Sequence, residues 1–257
     1  MNPKEDNSAL NSKDVQRRFD RAAARFDSVD FVHAATRDGL LARLEPMTVE
    51  AKTIIDLGSA TGSGSRLLAR RFRRARVTAV DLSRNMLEQG RKKQGWFSRV
   101  CAVQANAEAL PFADQTIDVV FANMLLPWIS NPARTFAEIS RVLRRDGLFL
   151  FATLGPDSLD GLRHEPFADM HDLGDALVRA GLRDPVLDVD RLAVTYESTE
   201  SLLNELTAMG AGCCAPDEID VLGFDLELVY GHCWGSGRRL AEGEYRVAAS
   251  RIGRRTR

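Results

Sequence analysis

Long apolar runs, cysteine, histidine and lysine are all scarce in this sequence, and each scarcity closes a class of function. The longest apolar run, Val119 to Ile129, is interrupted by Asn123 and Pro127, far short of the ~20 residues a membrane-spanning helix needs. Met1 to Ser12 is polar and charged, so it reads as disordered and as neither a signal peptide nor an anchor. Only four cysteines occur, Cys101, Cys213, Cys214 and Cys233, with no Cys-x-x-Cys pair and no zinc spacing. They are expected to be reduced thiols of a cytoplasmic protein. Four scattered histidines form no Ser-His-Asp pattern and no metal triad, so no metal is expected. A net charge of -1 argues against bulk electrostatic binding to nucleic acid. No repeat and no low-complexity linker divides the chain.

What is present is hydrophobic periodicity. Among 257 residues, 44% are hydrophobic, enough for one sizeable α/β core. Helical stripes at Val15, Phe19, Ala22, Ala23 and Phe26 and at Leu40, Leu41 and Leu44 predict two helices, the first capped by Ser12. Strands are expected over Thr53–Leu57, Arg76–Val80, Arg99–Gln104, Ile117–Ala122 and Leu148–Thr153. Helices alternate with them from Ser63 to Phe72, Ser83 to Lys93 and Pro132 to Leu143, with a turn at Arg144–Gly147. Strands that alternate with helices of this length imply a parallel sheet with right-handed crossovers. Beyond Leu154 the pattern predicts a loop into a short helix at Gly155–Arg163. A helix at Asp172–Ala180 stopped by Gly181, a strand at Pro185–Tyr196 and a helix at Ser198–Met209 follow. Strands at Asp225–His232 and Tyr245–Ile252 end the chain. The expected organisation is a disordered 1–12 followed by a single domain, 13–257. Its parts are lid helices 13–45, a ligand-binding core 50–155, lid and acceptor segments 156–222, and C-terminal strands 223–257.

The chemistry concentrates at Ile54-Ile55-Asp56-Leu57-Gly58-Ser59-Ala60-Thr61-Gly62-Ser63-Gly64, followed one helix later by Val80-Asp81-Leu82-Ser83. Strand, glycine turn, helix, strand, acid is half of a nucleotide-binding fold. The spacing is Gly-x-x-x-Gly-x-Gly, whereas a dinucleotide fingerprint is Gly-x-Gly-x-x-Gly, and a carboxylate at Asp56 would repel a pyrophosphate. Two acids suit a ligand with an ammonium and a ribose but no phosphate, and S-adenosylmethionine is such a ligand.

Asp-x-Gly-x-x-x-Gly at 56–62, Val-Asp-x-Ser at 80–83 with Met86, Leu110-Pro111-Phe112 and Leu143-x-x-x-Gly147 resemble a class I S-adenosylmethionine-dependent methyltransferase. The flanks narrow the likeness: Phe19-Asp20-Arg21-Ala22-Ala23-Ala24-x-Phe26, Asn123-Met124-Leu125-Leu126-Pro127-Trp128, Thr153-Leu154-Gly155-Pro156-Asp157-Ser158-Leu159 and Met170-His171-Asp172-Leu173-Gly174-Asp175-Ala176-Leu177. Over nearly the whole length the chain looks like the malonyl-acyl carrier protein O-methyltransferases, which esterify the free carboxylate of a malonyl thioester early in biotin synthesis. The resemblance implies a Rossmann-like, seven-stranded, mostly parallel sheet with helices on both faces and a helical lid. It implies S-adenosylmethionine as methyl donor and malonyl-acyl carrier protein as partner, and leaves oligomeric state open. Donor-binding candidates are Phe26, Asp56, Gly58, Ala60, Gly62, Asp81, Leu82, Met86, Asn106, Ala107 and Asn123. Three positions depart from the family pattern: Ala60 replaces a glycine, Asn106 an acid that receives the adenine amino group, and Phe26 a tyrosine.

Other residues carry two readings. Trp128 and Asn123 fall at the carboxyl end of the fourth strand, where open α/β sheets bind ligands, but an indole there is as readily core. Phe112 reads as core, and His171 and His232 as structural hydrogen-bonding groups. Arg163 is the candidate for the acceptor carboxylate, which a guanidinium grips with a planar fork; an exposed arginine of a lid helix is the plainer alternative. Basic clusters at Arg70, Arg71, Arg73 and Arg74, and at Arg254 and Arg255, are either solvated faces or the surface that meets an acidic carrier. A nicotinamide-dependent dehydrogenase, a related hydroxylase or assembly factor, and a non-catalytic partner protein are the competing functions.

Overall fold

Thr53–Leu57 (β1) and Ile117–Asn123 (β4) lie side by side at the centre of the sheet, and their near-continuous burial explains their uninterrupted apolar sequences. The computed structural model describes residues 11–95, 98–160, 162, 166–208 and 222–236. Arg163, the tail arginines 254 and 255, Cys213, Cys214, the residues before 11 and the expected strand at 245–252 lie outside the described residues. Seven strands pair in the order β3-β2-β1-β4-β5-β7-β6, where β2 is Arg76–Asp81, β3 Val100–Gln104, β5 Leu143–Leu154, β6 Leu182–Thr195 and β7 Gly223–Gly235. The first five are parallel; β7 runs antiparallel to both β5 and β6.

Alternate residues of each strand feed opposite core layers. Ile54, Val77, Val119 and Leu150 pack beneath α2 (Phe31–Leu44), α3 (Ser63–Arg71) and α4 (Arg84–Lys92). Ile55, Val80, Val120 and Phe149 face α5 (Pro132–Val142) and α6 (Met170–Arg179). Helix α1 (Ser12–Ala22) docks on α4, and α7 (Thr199–Ala208) buries Leu202 and Leu206 against Phe224 of β7. No helix among the described residues is long and apolar enough to cross a membrane.

The structure corrects three local expectations. The cap of α1 is Asn11, whose side chain accepts from the Lys13 amide at 2.9 Å, so Ser12 is already helical. Arg144–Gly147 is not a separate turn but an excursion within β5, where pairing with β4 jumps from Ile117–Leu143 to Val119–Leu148 and Asp146 takes φ +61°. The described part of Gly155–Arg163 is a turn rather than a helix. It is tied to β7 by the Gly155 amide and the Ser158 hydroxyl, both on the Glu227 carbonyl.

The β1/β4 boundary is where strand order reverses. Loops leaving the carboxyl ends of these strands diverge to opposite faces and open a crevice between them. That crevice is the site.

Candidate functional site at the carboxyl edge of the sheet

The turn after β1 is built from left-handed residues. Gly58 (φ +71°), Ala60 (φ +46°) and Gly62 (φ +75°) reverse the chain into α3. At Gly58 a Cβ would meet the Leu125 side chain at 2.9 Å and would have to displace it, besides straining the left-handed backbone. Ala60 holds the same conformation with a Cβ, at a cost of about 1 kcal/mol. The turn is fastened by Asp81, at the end of β2. Its Oδ2 accepts from the Ala60 amide and its Oδ1 from the Ser83 amide, both at 2.8 Å. Asp81 itself lines the cleft. Burial pushes the Asp81 carboxyl up to about 6 despite these amides, and the Asp20 charge adds to the rise.

Asp56 lies under the turn, 3% exposed, and accepts a 2.5 Å hydrogen bond from the Ser65 hydroxyl of α3. Burial raises its pKa to about 6, and the charge of Asp81 raises it further. Asp56 is thus part of the floor.

A cleft opens above these groups. It is lined by Phe26, Gly58, Ala60, Asp81, Leu82, Asn106, Ala107 and Asn123, and the structure therefore gathers these eight candidates around one space. Met86, fully buried, sits behind it with Phe26, Ala22 and Ala23. Asn106 turns its carbonyl onto the Glu108 amide at 2.9 Å. One lone pair of that oxygen is therefore spent inside the protein. Trp128 joins the lining and meets Phe19 edge-on, with ring centroids 4.9 Å apart. Phe112 packs against the second core layer instead. His171 is exposed and bonded to Asp169 at 2.9 Å, and His232 lies edge-on to Trp234; neither lines the cleft.

Two acids that sequence reasoning passed over hold the roof on. Asp20 of α1 accepts from the Ser83 hydroxyl at 2.6 Å and from the Asn85 amide at 3.2 Å, which seats α1 on the start of α4. Asp27, in a short 3-10 turn at Phe26–Ser28, accepts from the Thr61 hydroxyl and pairs with Lys93. Asp20 sits in the Phe-Asp-Arg-Ala run and Asp27 follows Phe26, but spacing alone gives neither a partner.

A second recess opens beside the first, sharing Phe26, His33, Gly58, Ala60 and Asn123 with it. Asp30, Arg37, Asp56, Ser59, Thr61 and Ser63 complete its polar lining. Four buried polar atoms on its wall have no hydrogen-bond partner: His33 Nδ1, Arg37 Nε, Ser59 Oγ and Asn123 Oδ1. Buried donors and acceptors are rarely left unpaired, and a polar small molecule in the cleft would satisfy them. The residues present therefore fit a donor with a nucleoside at one end and a charged amino-acid group at the other.

Comparison with known proteins agrees with this geometry. Residues 55–151 match the methyltransferase domain family. The fold resembles phosphoethanolamine N-methyltransferase 2 of Haemonchus contortus, solved with S-adenosyl-L-methionine, at TM-score 0.58 and 18% identity over 86% of this chain and 60% of that one. It also resembles the Haloferax volcanii methyltransferase solved with the Trm112 activator, at TM-score 0.64 and 20% identity over 88% and 100%. Sequence relatives are much nearer. The malonyl-[acyl-carrier protein] O-methyltransferase of Laribacter hongkongensis is 37% identical over 88% of this chain and 90% of its own length. That of Halorhodospira halophila is 34% identical, with both chains covered end to end. With the cleft, the fastened glycine turn and this identity along its length, the chain belongs to the malonyl-[acyl-carrier protein] O-methyltransferase family.

Proposed function

We propose that the protein transfers a methyl group from S-adenosylmethionine to the free carboxylate of malonyl-acyl carrier protein, an early step of biotin synthesis. The observation that carries this reading is the cleft between Asp81 and Asn123, roofed by α1 and the Phe26 turn, in a chain of this family.

When bound, S-adenosylmethionine supplies a methyl group activated on a positively charged sulfur. In this reading Asp81 receives the ribose hydroxyls, Leu82 and Ala107 flank the adenine, and the Asn106 side chain stands at its amino edge. Gly58 and Gly62 give the close backbone approach beside the amino-acid end. Phe26, braced by Met86, covers the ligand and excludes water. A malonyl carboxylate is already ionised at neutral pH, so no general base is needed. What the protein contributes is alignment in a dry site. Arg163, just beyond the β5 turn, is the proposed grip on one acceptor oxygen.

The carrier must approach from the carboxyl edge. Arg70, Arg71, Arg73 and Arg74 lead into Arg76, the first residue of β2, so they sit ~20 Å of strand away from Asp81. Helix α1 is better placed. Its inner face presents Val15 and Phe19 to the cleft, and its outer face exposes Lys13, Arg17 and Arg21 at four-residue spacing. An acidic carrier suits that stripe.

The deciding experiment incubates the purified protein with S-adenosylmethionine and malonyl-acyl carrier protein and reads the mass of the carrier. A gain of one methyl, removed by esterase, is expected. An unchanged mass, with donor binding confirmed, would move the assignment to the related hydroxylases and assembly factors.

A further inference from the structure

The loop between β3 and β4, residues 105–116, supplies Ala105, Asn106, Ala107 and Glu108 to the cleft, yet it contains no strand or helix of its own. Its ends are fixed by backbone pairs. The Ala105 amide donates to the Asp81 carbonyl at 3.0 Å, and the Gln115 and Thr116 amides donate to the Arg141 and Val142 carbonyls, both at 2.9 Å. Between those ends the loop is held by side chains of α5. Arg134, Glu138 and Arg141 follow one another at spacings of four and three, so they form one polar stripe. It runs beside the face that buries Thr135, Phe136, Ile139 and Val142.

The stripe takes hold of successive backbone groups. Arg134 Nε donates to the Glu108 carbonyl at 2.9 Å. Glu138 Oε2 accepts from the Leu110 amide at 2.7 Å. Arg141 Nη2 donates to the Leu110 carbonyl at 3.0 Å, and Nη1 to the Phe112 carbonyl at 2.7 Å. Nη1 also reaches Asp114 Oδ1, while Nε and Nη2 take the two oxygens of Glu138, each at 2.7 Å. All five N–H donors of the guanidinium are thereby spent. The hydrogen bond from Arg141 holds the Glu138 carboxyl below the ordinary carboxylate range, against its partial burial, so the pair stays charged at neutral pH. At the start of α5 the Asn131 amide donates to Glu108 Oε1 at 3.0 Å, which ties this wall of the cleft to the Trp128–Ser130 wall.

Arg134, Glu138 and Arg141 lie outside the lining of the cleft, so they reach a ligand only through the loop. Asn106 Oδ1 is bonded to the Glu108 amide, and Glu108 is where the ties from Asn131 and Arg134 converge. Any shift of this backbone carries Asn106 with it. We propose that the polar stripe of α5, with Arg141 as its central positioning residue, sets the selectivity of the cleft for a 6-aminopurine by fixing the backbone that presents Asn106. The inference rests on the donor assignment above and deepens it, because it gives purine selectivity to residues that touch no ligand. A site placed to pair with an amino group rejects an analogue that cannot make that bond. The rejection depends on holding the acceptor to within a fraction of an ångström.

The test compares S-adenosylhomocysteine with S-inosylhomocysteine, which carries an oxo group in place of the 6-amino group. Calorimetry on the wild-type protein should favour the adenosyl ligand by about ten-fold or more. Arg141→Lys keeps the charge but has no planar fork to span Leu110, Phe112 and Glu138. It should narrow the ratio by about three-fold or more, through weaker adenosyl binding with inosyl binding nearly unchanged, and Arg141→Ala should narrow it further. In turnover, the KM for S-adenosylmethionine should rise and kcat at saturating donor should stay within about two-fold. A lower Tm with an unchanged ratio would make Arg141 a purely structural residue and overturn the proposal. If Arg141→Ala does not fold, Arg141→Lys and Arg134→Ala, which removes only the tie to the Glu108 carbonyl, must still narrow the ratio, or the proposal fails. Wild-type protein that binds both ligands equally would overturn the proposal and leave the donor assignment standing. Wild-type protein that binds neither would overturn the donor assignment and the proposal with it.

Discussion

The carboxylate of Asp81 fastens the amide of Ala60 at 2.8 Å, so the residue proposed to hold the ribose also sets the shape of the glycine turn. Asp81→Ala removes both functions. Two hydrogen bonds to a charged acceptor are worth about 3 kcal/mol, or roughly a hundred-fold in affinity. Calorimetric titration with S-adenosylhomocysteine should show that loss. Unchanged affinity in a folded variant would take Asp81 out of the ribose site.

Ala60 occupies a left-handed conformation that glycine adopts freely. Ala60→Gly should therefore raise stability by about 0.5–1 kcal/mol after the extra chain entropy of glycine is subtracted. For a chain of this size that is an increase in Tm of about 1–4 °C. A fall in Tm would show that the Cβ of Ala60, packed beside Met86 and Phe26, contributes more than the strain costs.

Asn106→Asp keeps the acceptor for the Glu108 amide and adds charge at the proposed adenine amino edge. Donor affinity should hold or tighten. A ten-fold loss would mean that negative charge is excluded from that corner, or that the Asn106 amide nitrogen is the group that matters.

Asp56 and Asp81 both have pKa values raised to about 6 from an ordinary carboxylate value of 3.8. A raised carboxylate favours the fold when protonated, so the unliganded protein loses this contribution as pH rises from about 4 through 6. A bound ammonium or ribose prefers the ionised acids. Donor binding near pH 6 should consequently release protons, and affinity should rise between pH 5 and 7. Titrations in buffers of different ionisation enthalpy measure that release directly. No proton release at pH 6 would show that the acids are ionised before the ligand arrives.

Charge reversal of Arg17 and Arg21 should raise the KM for malonyl-acyl carrier protein several-fold and leave a small malonyl thioester unaffected. Added salt should imitate the change. Reversal of Arg73 and Arg74 should do neither, because they lie at the amino edge of the sheet. The opposite pattern would place the carrier there.

The sheet was legible because its signals are local. Ile54-Ile55 and Val119-Val120 are apolar in succession because both faces of a central parallel strand are covered, and Gly181 ends α6 through its positive φ. The excursion at Arg144–Gly147 was misread because a basic-acidic-glycine string signals a turn whether or not the strand resumes its pairing. The floor role of Asp56 and the recess around Arg37 were not legible. Their meaning depends on Ser65, His33 and Asn123, which reach them from other elements, and no spacing rule predicts an unpaired atom. Asn106 lines the cleft, and the hydrogen bond that occupies its oxygen comes from the fold of its own loop.

The position of β7 bears on how the molecule is made. Strands β1 to β5 can assemble in order as the chain emerges, but β6 has no place beside β5, because β7 must come between them. Until residues 223–235 leave the ribosome, β5 presents an unpaired edge containing Leu148-Phe149-Leu150-Phe151, an apolar template for another nascent chain. A polypeptide ending after β6 would contain every residue of the cleft and still tend to associate through that edge. The strand that contributes nothing to the chemistry thus decides whether the apolar edge of β5 is covered before another chain can pair with it.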